Sequence, residues 1–266
     1  MEKTKFLFIS QEISPYLPEN EMSILMRNLP QFMQEKSKEI RTFMPRYGVI
    51  NERRHHLHEV IRLSGMNIII NDTDHPLIIK VASIQQARLQ VYFIDNEEYF
   101  HRKNTFVDNE GNFFEDNGER ILFFARGVLE TTKKLRWAPD IVHCHGWFTS
   151  LAPVLIKKLM HDDPFFANAK IVTSVYNNDY EGELDKRLKQ KIKMMGIGEK
   201  DLKKLEMPTY ENVVKTAISM SDAIIKGSSI INEELEDYIQ KSKKPFLNYN
   251  DSPNHIDDIY KFYNSL

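Results

Sequence analysis

The fold is decided by residues 137–151, which read WAPDIVHCHGWFTSL. Within them, residues 140–144 form a short apolar run that ends at a glycine, the pattern of a buried parallel strand that opens into a loop at its carboxyl end. Ligands of open α/β sheets bind at that edge. We therefore expect the residues that end this strand to lie on the rim of a crevice: His143, His145, Gly146 and Trp147.

Five other short apolar segments have the composition of buried strands, near residues 5–10, 39–44, 90–95, 170–175 and 223–226. Segments whose apolar residues recur at spacings of three and four separate most of them, which indicates helices with one face on a sheet. Strands that alternate with helices predict an α/β fold with a doubly wound, mostly parallel sheet and helices on both faces. Residues 59–71 and 76–84 predict an additional hairpin.

Composition limits the classes of function. The 266 residues are 41% hydrophobic, enough to bury the core of one large domain. Lys and Arg number 36 against 38 Asp and Glu, and no basic stripe occurs, so we expect no nucleic-acid partner. No apolar run approaches the roughly 20 residues that span a bilayer. We expect no membrane association, a cytoplasmic location, and a core position for the single cysteine, Cys144.

Motifs for common cofactors and metals are missing. The sequence has no GxGxxG after the first strand, no GxxxxGK[ST], no GxSxG and no HExxH. Three histidines, His55, His56 and His58, lie in a charged connection that we interpret as a solvated loop. We therefore expect no cofactor and no metal site. Residues 96–117 form a polar and aromatic loop longer than a connection needs, and such loops are usually functional or mobile.

Eight segments, in order over roughly residues 3–235, carry a resemblance to a known family: KFLFISQEISPY, NLPQFM, IRTFMPRYG, VYFIDNEEYFHR, EDNGERILFFARGVLE, WAPDIVHCHGW, DDPFFANAKIV and VVKTAISMSDAII. They resemble the N-terminal catalytic domain of bacterial glycogen synthases and plant starch synthases, of the glycosyltransferase family 5 type. The resemblance implies one Rossmann-like half of a GT-B enzyme, which transfers glucose from ADP-glucose to an α-1,4-glucan. We expect the second domain, which supplies most of the nucleotide pocket, to be absent.

The resemblance also implies a division of the chain into a Rossmann domain at residues 1–247 and a tail at 248–266. In the tail, Ile256, Ile259, Tyr260 and Tyr263 recur at helical spacing behind a helix-start signal at residues 251–253. We expect a short helix whose apolar stripe packs on the domain. The alternative is a frayed terminus.

The family's phosphate-binding signature, Lys-Thr-Gly-Gly-Leu, is replaced here. The corresponding residues are Pro18, Glu19, Asn20, Glu21 and Met22. Glycines let backbone amides at a helix N-terminus approach a phosphate, and the lysine adds positive charge. Two carboxylates at these positions would repel a diphosphate, although they also suit the helix dipole.

Three more family positions differ. The Asp of a His-Asp-Trp motif is Gly146, and the His of a Val-His-Asn motif, which lies over the reacting glucose, is Tyr176. A family tyrosine in the long loop corresponds to Phe106. A phenol cannot reproduce the hydrogen bonding of an imidazole without rearrangement. The resemblance therefore implies no catalytic residue in this chain.

Some family positions persist, and they could line a carbohydrate groove or only hold the loops together: Glu12, Asp116, Asn117, His143, Trp147 and Asn177. One hypothesis is a degenerate relative that acts as a binding or regulatory module with an α-glucan or a protein partner. The other is half of an active ADP-glucose-dependent glucosyltransferase completed by a partner chain. We favour the first, and expect Trp147 and the aromatic residues of 99–114 to offer faces for a sugar ring.

Overall fold

A computed structural model describes residues 3–266, which form a sheet of ten strands with flanking helices. The strands are β1 (Lys5–Ser10), β2 (Glu39–Pro45), β3 (His58–Glu59), β4 (Met66–Ile70), β5 (Thr73–Ile84), β6 (Leu89–Asp95), β7 (Ile141–His145), β8 (Lys170–Val175), β9 (Ala223–Lys226) and β10 (Phe246–Leu247). The helices are α1 (Glu21–Glu35), α2 (Glu97–Phe100), α3 (Asn117–Lys134), α4 (Leu151–Leu159), α5 (Leu188–Met194), α6 (Tyr210–Met220), α7 (Glu233–Ser242) and α8 (His255–Asn264).

The strand order is β10-β9-β8-β7-β1-β2-β6-β5-β3, with β4 paired to β5 outside this path. The seven strands from β10 to β6 are parallel, whereas β5 is antiparallel to β6, and β3 and β4 are antiparallel to β5. This arrangement confirms the expected α/β class with a mostly parallel sheet. The six predicted strands and the predicted hairpin are all present.

The order of the strands reverses beside β1. From β1 the chain builds outward through β2 and β6, then returns to the other side of β1 for β7 and continues through β8 and β9. At such a switch point the two connecting segments leave in opposite directions, and a crevice opens at the carboxyl ends of the strands. The topology therefore places any site next to the loops that follow β1 and β7.

Helix α1 begins after a capping box formed by Asn20 and Ser23. The Asn20 side chain accepts a hydrogen bond from the Ser23 backbone N–H (2.8 Å), and the Asn20 N–H donates to Ser23 Oγ (2.9 Å). This reciprocal pair satisfies two backbone donors that a helix start otherwise leaves free. Beyond the cap, the predicted apolar stripe is buried, including Met26, Leu29 and Met33.

The last helix, α8, lies against α1 and the sheet. Its Ile259 and Tyr263 are buried, and the Tyr263 ring lies 5.1 Å from the ring of Phe6 on β1. Tyr260 contacts Phe32 of α1 edge-on, with ring centroids 5.9 Å apart. The tail is therefore packed on the domain, while the boundary at residue 247 stays a prediction.

Cys144 on β7 is fully buried, as expected of a core residue, and burial raises the pKa of its thiol. A buried thiol of raised pKa is a poor nucleophile at neutral pH. Among residues 3–266, no helix is both long and apolar enough to cross a bilayer.

Candidate functional site

A crevice of about 630 Å³ opens at the switch point between β1 and β7. The Gln11 N–H donates to the His145 carbonyl (3.1 Å) and so ties the ends of these two strands together. Four loops provide the lining: Gln11, Glu12, Phe106, Val107, Gly111, Phe113, Trp147, Asn178, Asp179, Tyr180 and Glu181. The volume is within the range of small-molecule pockets.

A smaller cavity of about 110 Å³ adjoins this crevice at the start of α1. It is lined by Glu12, Asn20, Glu21, Met22, Tyr176, Asn177, Asn178 and Ser228. Because Glu12 and Asn178 line both spaces, we treat the crevice and the smaller cavity together and call them the cleft. The replaced phosphate-binding signature and the replaced histidine therefore meet at one end of the cleft.

Aromatic rings form the other end of the cleft. Phe113 and Tyr180 are stacked, with ring centroids 4.8 Å apart and planes 17° apart, and Trp147 meets Tyr180 edge-on at 4.7 Å. Phe106 packs on Trp147 at 5.2 Å. Trp147 is only 3% exposed, so it does not offer the open face that we expected.

The expectation that the aromatic residues of 99–114 offer faces for a sugar ring is wrong for two of them. Tyr99 and Phe100 point into the core and are buried, so they cannot stack on a ligand. They belong to α2, where Asn96 caps the helix by accepting from the Tyr99 N–H (3.0 Å). Phe106 and Phe113 are the aromatic residues of the loop that reach the cleft. The loop is therefore divided between a core anchor and a cleft wall.

The polar positions that persist from the family separate into two groups. Glu12 lies between the two parts of the cleft, where its carboxylate accepts hydrogen bonds from Gln11 Nε2 (3.1 Å) and from Asn20 Nδ2. Asn177 lines the smaller cavity, and its backbone N–H donates to Ser228 Oγ (3.2 Å). These two residues are placed to contact a ligand.

Asp116 and Asn117 do not line the cleft. Asp116 forms a bidentate ion pair with Arg102, in which the distance from Arg102 Nη1 to Asp116 Oδ1 is 2.7 Å. Asn117 is buried, donates to the Phe106 carbonyl (2.9 Å) and accepts from Arg120. Both side chains hold the long loop in place, which is the second of the two roles considered for them.

His143 does not lie on the rim of the crevice, contrary to our expectation. It is fully buried, with Nδ1 hydrogen-bonded to the Tyr263 hydroxyl (2.5 Å) and Nε2 to Ser174 Oγ (2.7 Å). The side chain points to the sheet face that α8 covers, because alternate residues of a strand point to opposite faces. Both ring nitrogens are engaged within the protein, so His143 is closed to a ligand in this structure.

His145 is buried beside it, with the two imidazole centroids 3.8 Å apart. Its Nδ1 is hydrogen-bonded to the Tyr176 hydroxyl (2.8 Å), whereas its Nε2 is buried without a hydrogen-bond partner among the described residues. Burial lowers the pKa of His145 to about 3, and burial with the charge of His145 lowers the pKa of His143 well below its ordinary value. Both rings are neutral at pH 7.

The buried pair makes stability depend on pH. In the unfolded chain each histidine takes up a proton near its ordinary pKa of 6.5, whereas in the folded chain both stay neutral to much lower pH. The unfolded state therefore binds more protons below pH 6.5, and folding weakens by about 1.4 kcal/mol per pH unit for each histidine. From pH 6.5 to pH 5, His145 alone should lower the unfolding free energy by about 2 kcal/mol.

Urea unfolding at pH 7 and pH 5 measures this effect. We expect His145→Gln to reduce the loss of unfolding free energy between the two pH values, since the amide does not titrate. His161→Gln, at an exposed histidine, is the matched control and should leave the loss unchanged. An equal loss in the wild type and in His145→Gln would contradict the assignment.

The replaced family positions are closed by packing. Gly146 has φ +84°, and a Cβ there would lie 2.8 Å from both Gln11 Oε1 and Met22 Cε. Tyr176 lies against Gly227, where a Cβ would come within 2.5–2.7 Å of the phenol ring. These distances are too short for real carbon contacts. The side chains of Gln11, Met22 and Tyr176 therefore occupy space that larger residues at 146 and 227 would need.

Sequence reasoning missed Gln11, Asn178 and Tyr180 in the cleft. Gln11 is buried and its Oε1 accepts from the Phe148 N–H (3.2 Å) and from Asn178 Nδ2 (3.3 Å), so it connects three loops. Gln11 follows β1 directly, and Asn178 and Tyr180 lie in the loop after β8. The sequence signal that could have identified them is their position after neighbouring parallel strands.

A second crevice, of about 580 Å³, lies beside the carboxyl-terminal halves of α3 and α4. Its charged lining includes Lys133, which pairs with Asp163 (3.0 Å), and Lys191, which pairs with Glu119 and Asp185. These cations are engaged within the protein, and the crevice is remote from the loops that follow β1 and β7. We place the candidate site in the cleft.

Comparison with known proteins shows what the chain is similar to. The family model "Starch synthase catalytic domain" matches residues 5–244. The glycogen synthase of Chlorobium limicola is 38% identical over 189 residues, which are 71% of this chain and 39% of that protein. The glycogen synthase of Pelodictyon phaeoclathratiforme is 33% identical over 233 residues, 87% of this chain and 47% of that protein. The chain thus spans less than half the length of these relatives.

A solved structure shares the fold. It is the catalytic domain of starch synthase IV from Arabidopsis thaliana bound to ADP and acarbose, with a TM-score of 0.74 over 93% of this chain and 51% of that chain. Sequence identity is 17%, so this likeness concerns the fold alone.

Proposed function

Because the chain belongs to the starch synthase catalytic domain family, we propose that it is a catalytically degenerate member that binds an α-glucan in the cleft and transfers no glucose. The family fold supplies a crevice at the switch point, with an aromatic wall and amide side chains. The positions that the family resemblance assigns to chemistry hold residues that cannot perform it.

One observation carries the proposal: the place of the reacting groups is filled by mutual packing. The Tyr176 ring lies against Gly227 and its hydroxyl bonds to His145 (2.8 Å), so the hydroxyl is engaged within the protein. The carboxylate that the family has at position 146 would meet Gln11 and Met22. At these two positions the chain therefore has neither an imidazole over the sugar nor a carboxylate on its hydroxyls.

The start of α1 supports the same proposal. An anion at a helix N-terminus needs free backbone N–H groups. Here the Ser23 N–H is already bonded to the Asn20 side chain, and the Asn20 N–H to Ser23 Oγ. Glu21 adds a carboxylate to the first turn. A diphosphate would find bonded donors and negative charge in place of glycines and a lysine.

A neutral sugar chain suits the cleft better. Protein sites for sugars combine aromatic surface with a few placed polar groups. The stacked pair of Phe113 and Tyr180 gives such a surface, and Gln11, Asn178 and Glu12 supply amide and carboxylate groups along it. The sugar would lie across these rings with its hydroxyls toward the polar groups.

Calorimetry with maltoheptaose at millimolar concentration tests glucan binding. We expect measurable heat for the wild type, and a loss of about tenfold in affinity for Tyr180→Ala, because one aromatic contact contributes on the order of 1 kcal/mol. Tyr238→Ala is the matched control: Tyr238 is a half-buried tyrosine of α7 that packs near Lys204 and Lys215, outside the cleft. No heat at all would refute glucan binding and favour a protein partner for this module.

The second candidate is half of an active ADP-glucose-dependent glucan glucosyltransferase that a partner chain completes. It is favoured by the position of the cleft, which opens at the carboxyl ends of the parallel strands, where ligands of such sheets bind. The two candidates differ in whether a nucleotide-binding domain added in solution restores transfer.

A further inference from the structure

The charge of the cleft has one sign. Of the described residues that line it, four carry carboxylates, namely Glu12, Glu21, Asp179 and Glu181, and none is a lysine or an arginine. The four carboxylates come from three separate segments of the chain, so no single acidic run accounts for them. The cleft therefore presents negative charge along its whole length.

These carboxylates are not neutralised by neighbouring cations. Glu12 accepts hydrogen bonds only from the neutral amides of Gln11 and Asn20 among the described residues. Within the same part of the chain, Glu21, Asp179 and Glu181 form no ion pair with any lysine, arginine or histidine. In contrast, Glu130 and Asp163 of the second crevice both pair with Lys133. The negative potential of the cleft is thus available to a ligand.

The aromatic wall favours the same kind of ligand. Ring faces attract cations electrostatically, most strongly where water is excluded. Asp179 and Glu181 flank Tyr180 in sequence, and Tyr180 stacks on Phe113 with Trp147 against its edge. Asn178 lies in the same wall, and its Oδ1, which accepts a long hydrogen bond from the Tyr210 hydroxyl (3.5 Å), is a further acceptor. Carboxylates, ring faces and an amide oxygen together match the three N–H donors and the positive charge of an ammonium group.

We propose that the cleft binds its ligand through a primary ammonium group, with the carbon skeleton of the ligand against the aromatic wall. This inference deepens the proposed carbohydrate-binding function and rests on it for the sugar skeleton: the substrate class becomes an amino sugar or a short amino-sugar oligomer. The same ammonium chemistry also occurs in aliphatic polyamines, and the experiment separates these two sources. The family resemblance implies an anionic diphosphate at this site, whereas the proposed ligand is a cation.

Chemical-shift titration of the ¹⁵N-labelled chain tests the inference. The probes are the disaccharide of glucosamine, its N-acetylated counterpart, maltoheptaose and spermidine, each at pH 6 and low salt. We expect the glucosamine disaccharide to shift the amides of residues 177–181 and to bind at least tenfold more tightly than the N-acetylated disaccharide, which has the same skeleton without the charge. The difference should shrink at high salt, because exposed charges are screened.

Variants identify the groups responsible. Glu12→Gln and Asp179→Asn should each reduce the preference for the charged disaccharide several-fold, because each removes a negative charge with little change of shape. Asp237→Asn is the control, since Asp237 is an exposed residue of α7 that pairs with Lys241. A preference that survives in the doubly substituted Glu12→Gln, Asp179→Asn chain would overturn the assignment of the site.

The titration also separates this inference from the proposed function. Equal affinity for the charged and the N-acetylated disaccharide would overturn ammonium recognition, even if maltoheptaose shifts the same amides. Shifts with the glucosamine disaccharide but none with maltoheptaose would support ammonium recognition and refute the α-glucan. Spermidine binding as tightly as the amino sugar would support ammonium recognition and assign the source to aliphatic amines.

Discussion

The purified chain is expected to transfer no glucose from ADP-glucose to glycogen, and a variant that restores the family residues is expected to stay inactive. That variant carries Pro18→Lys, Glu19→Thr, Asn20→Gly, Glu21→Gly, Gly146→Asp and Tyr176→His. The measurement is the incorporation of labelled glucose into glycogen by each protein.

The first reason is the charge on the leaving group. Electrostatic stabilisation of developing charge is usually the largest catalytic term, and the loss of one preorganised donor costs roughly 100-fold to 1,000-fold in rate. Lysine at position 18 would restore one cation, and glycines at 20 and 21 would free backbone amides. The family resemblance assigns the remaining cations to a second domain, beyond the matched residues. The six substitutions therefore restore only part of the positive charge that the leaving group needs.

The second reason is steric. Gly146→Asp forces a residue with a Cβ into φ +84° and brings that atom within 2.8 Å of Gln11 Oε1 and Met22 Cε. A left-handed backbone costs a non-glycine residue about 1–3 kcal/mol, and overpacking of a filled site costs about 1–3 kcal/mol more. The sum, about 2–6 kcal/mol, is a large part of the roughly 5–15 kcal/mol that stabilises a typical domain. Restoration should therefore destabilise the fold.

Gly65→Asp isolates the steric cost. Gly65 also has φ +84°, but a Cβ there would have no atom within 4 Å. Both substitutions place a Cβ at φ +84°, so the additional loss in Gly146→Asp measures what is particular to position 146, namely its ψ of 161° and the collision with Gln11 and Met22. Equal unfolding free energies for the two variants would show that the site has room for the family carboxylate.

Glucose incorporation proportional to the concentration of the purified wild-type chain would refute the degenerate-member proposal. A different outcome would favour the half-enzyme: no activity alone, but transfer when a separately produced nucleotide-binding domain of a related glycogen synthase is added. The restored variant then serves as the sharper probe, because it should gain more from the added domain than the wild type does.

The fold was accessible from the sequence because its signal is local. Each parallel strand is a short apolar run between turn residues, and each helix carries an apolar stripe, so β1, β7 and α1 could be located from a few neighbouring residues. The switch point follows from the strand order. That order is not visible in periodicity, and the resemblance to a known family supplied what the pattern lacked.

The candidate site was only partly accessible, because side-chain direction depends on distant partners. His143 is the middle residue of β7, which leads to the cleft, yet its side chain bonds to Tyr263, 120 residues away. Asn117 begins α3 at the end of the long loop, yet it is engaged by Arg120 and the Phe106 carbonyl. Glu12, which the family resemblance named, lies two residues after β1 at the switch point and lines the cleft.

Arg120→Met is expected to lower the unfolding free energy by about 3–5 kcal/mol, the usual cost of breaking a buried charged network. The Arg120 side chain is 0% exposed and donates from Nε to the Tyr99 carbonyl (2.7 Å) and from Nη1 to the Thr105 carbonyl (2.7 Å) and Asn117 Oδ1 (2.5 Å). These acceptors belong to the start, the middle and the end of the long loop. One guanidinium therefore holds the loop that forms the aromatic wall of the cleft.

The charge of Arg120 is retained although it is buried. Burial lowers its pKa to about 10, with a partly compensating effect of Tyr47, so the guanidinium stays protonated at pH 7. Aromatic rings surround it, with the centroids of Phe100 and Phe148 at 5.4 and 5.6 Å. Methionine would fill much of the same volume, but it would leave two backbone carbonyls without donors, and each unsatisfied buried group costs about 1–3 kcal/mol.

Arg126→Met is the matched control on the same helix. Arg126 is half-buried and makes no hydrogen bond or ion pair with any residue in 3–266, so its replacement should change the unfolding free energy by about 0.5 kcal/mol or less. Urea unfolding of both variants, with amide exchange across residues 99–117, separates global from local effects. If Arg120→Met lost less than about 1 kcal/mol, the loop carbonyls would have to find water as a donor, and the cleft wall would then be held by its ring contacts alone.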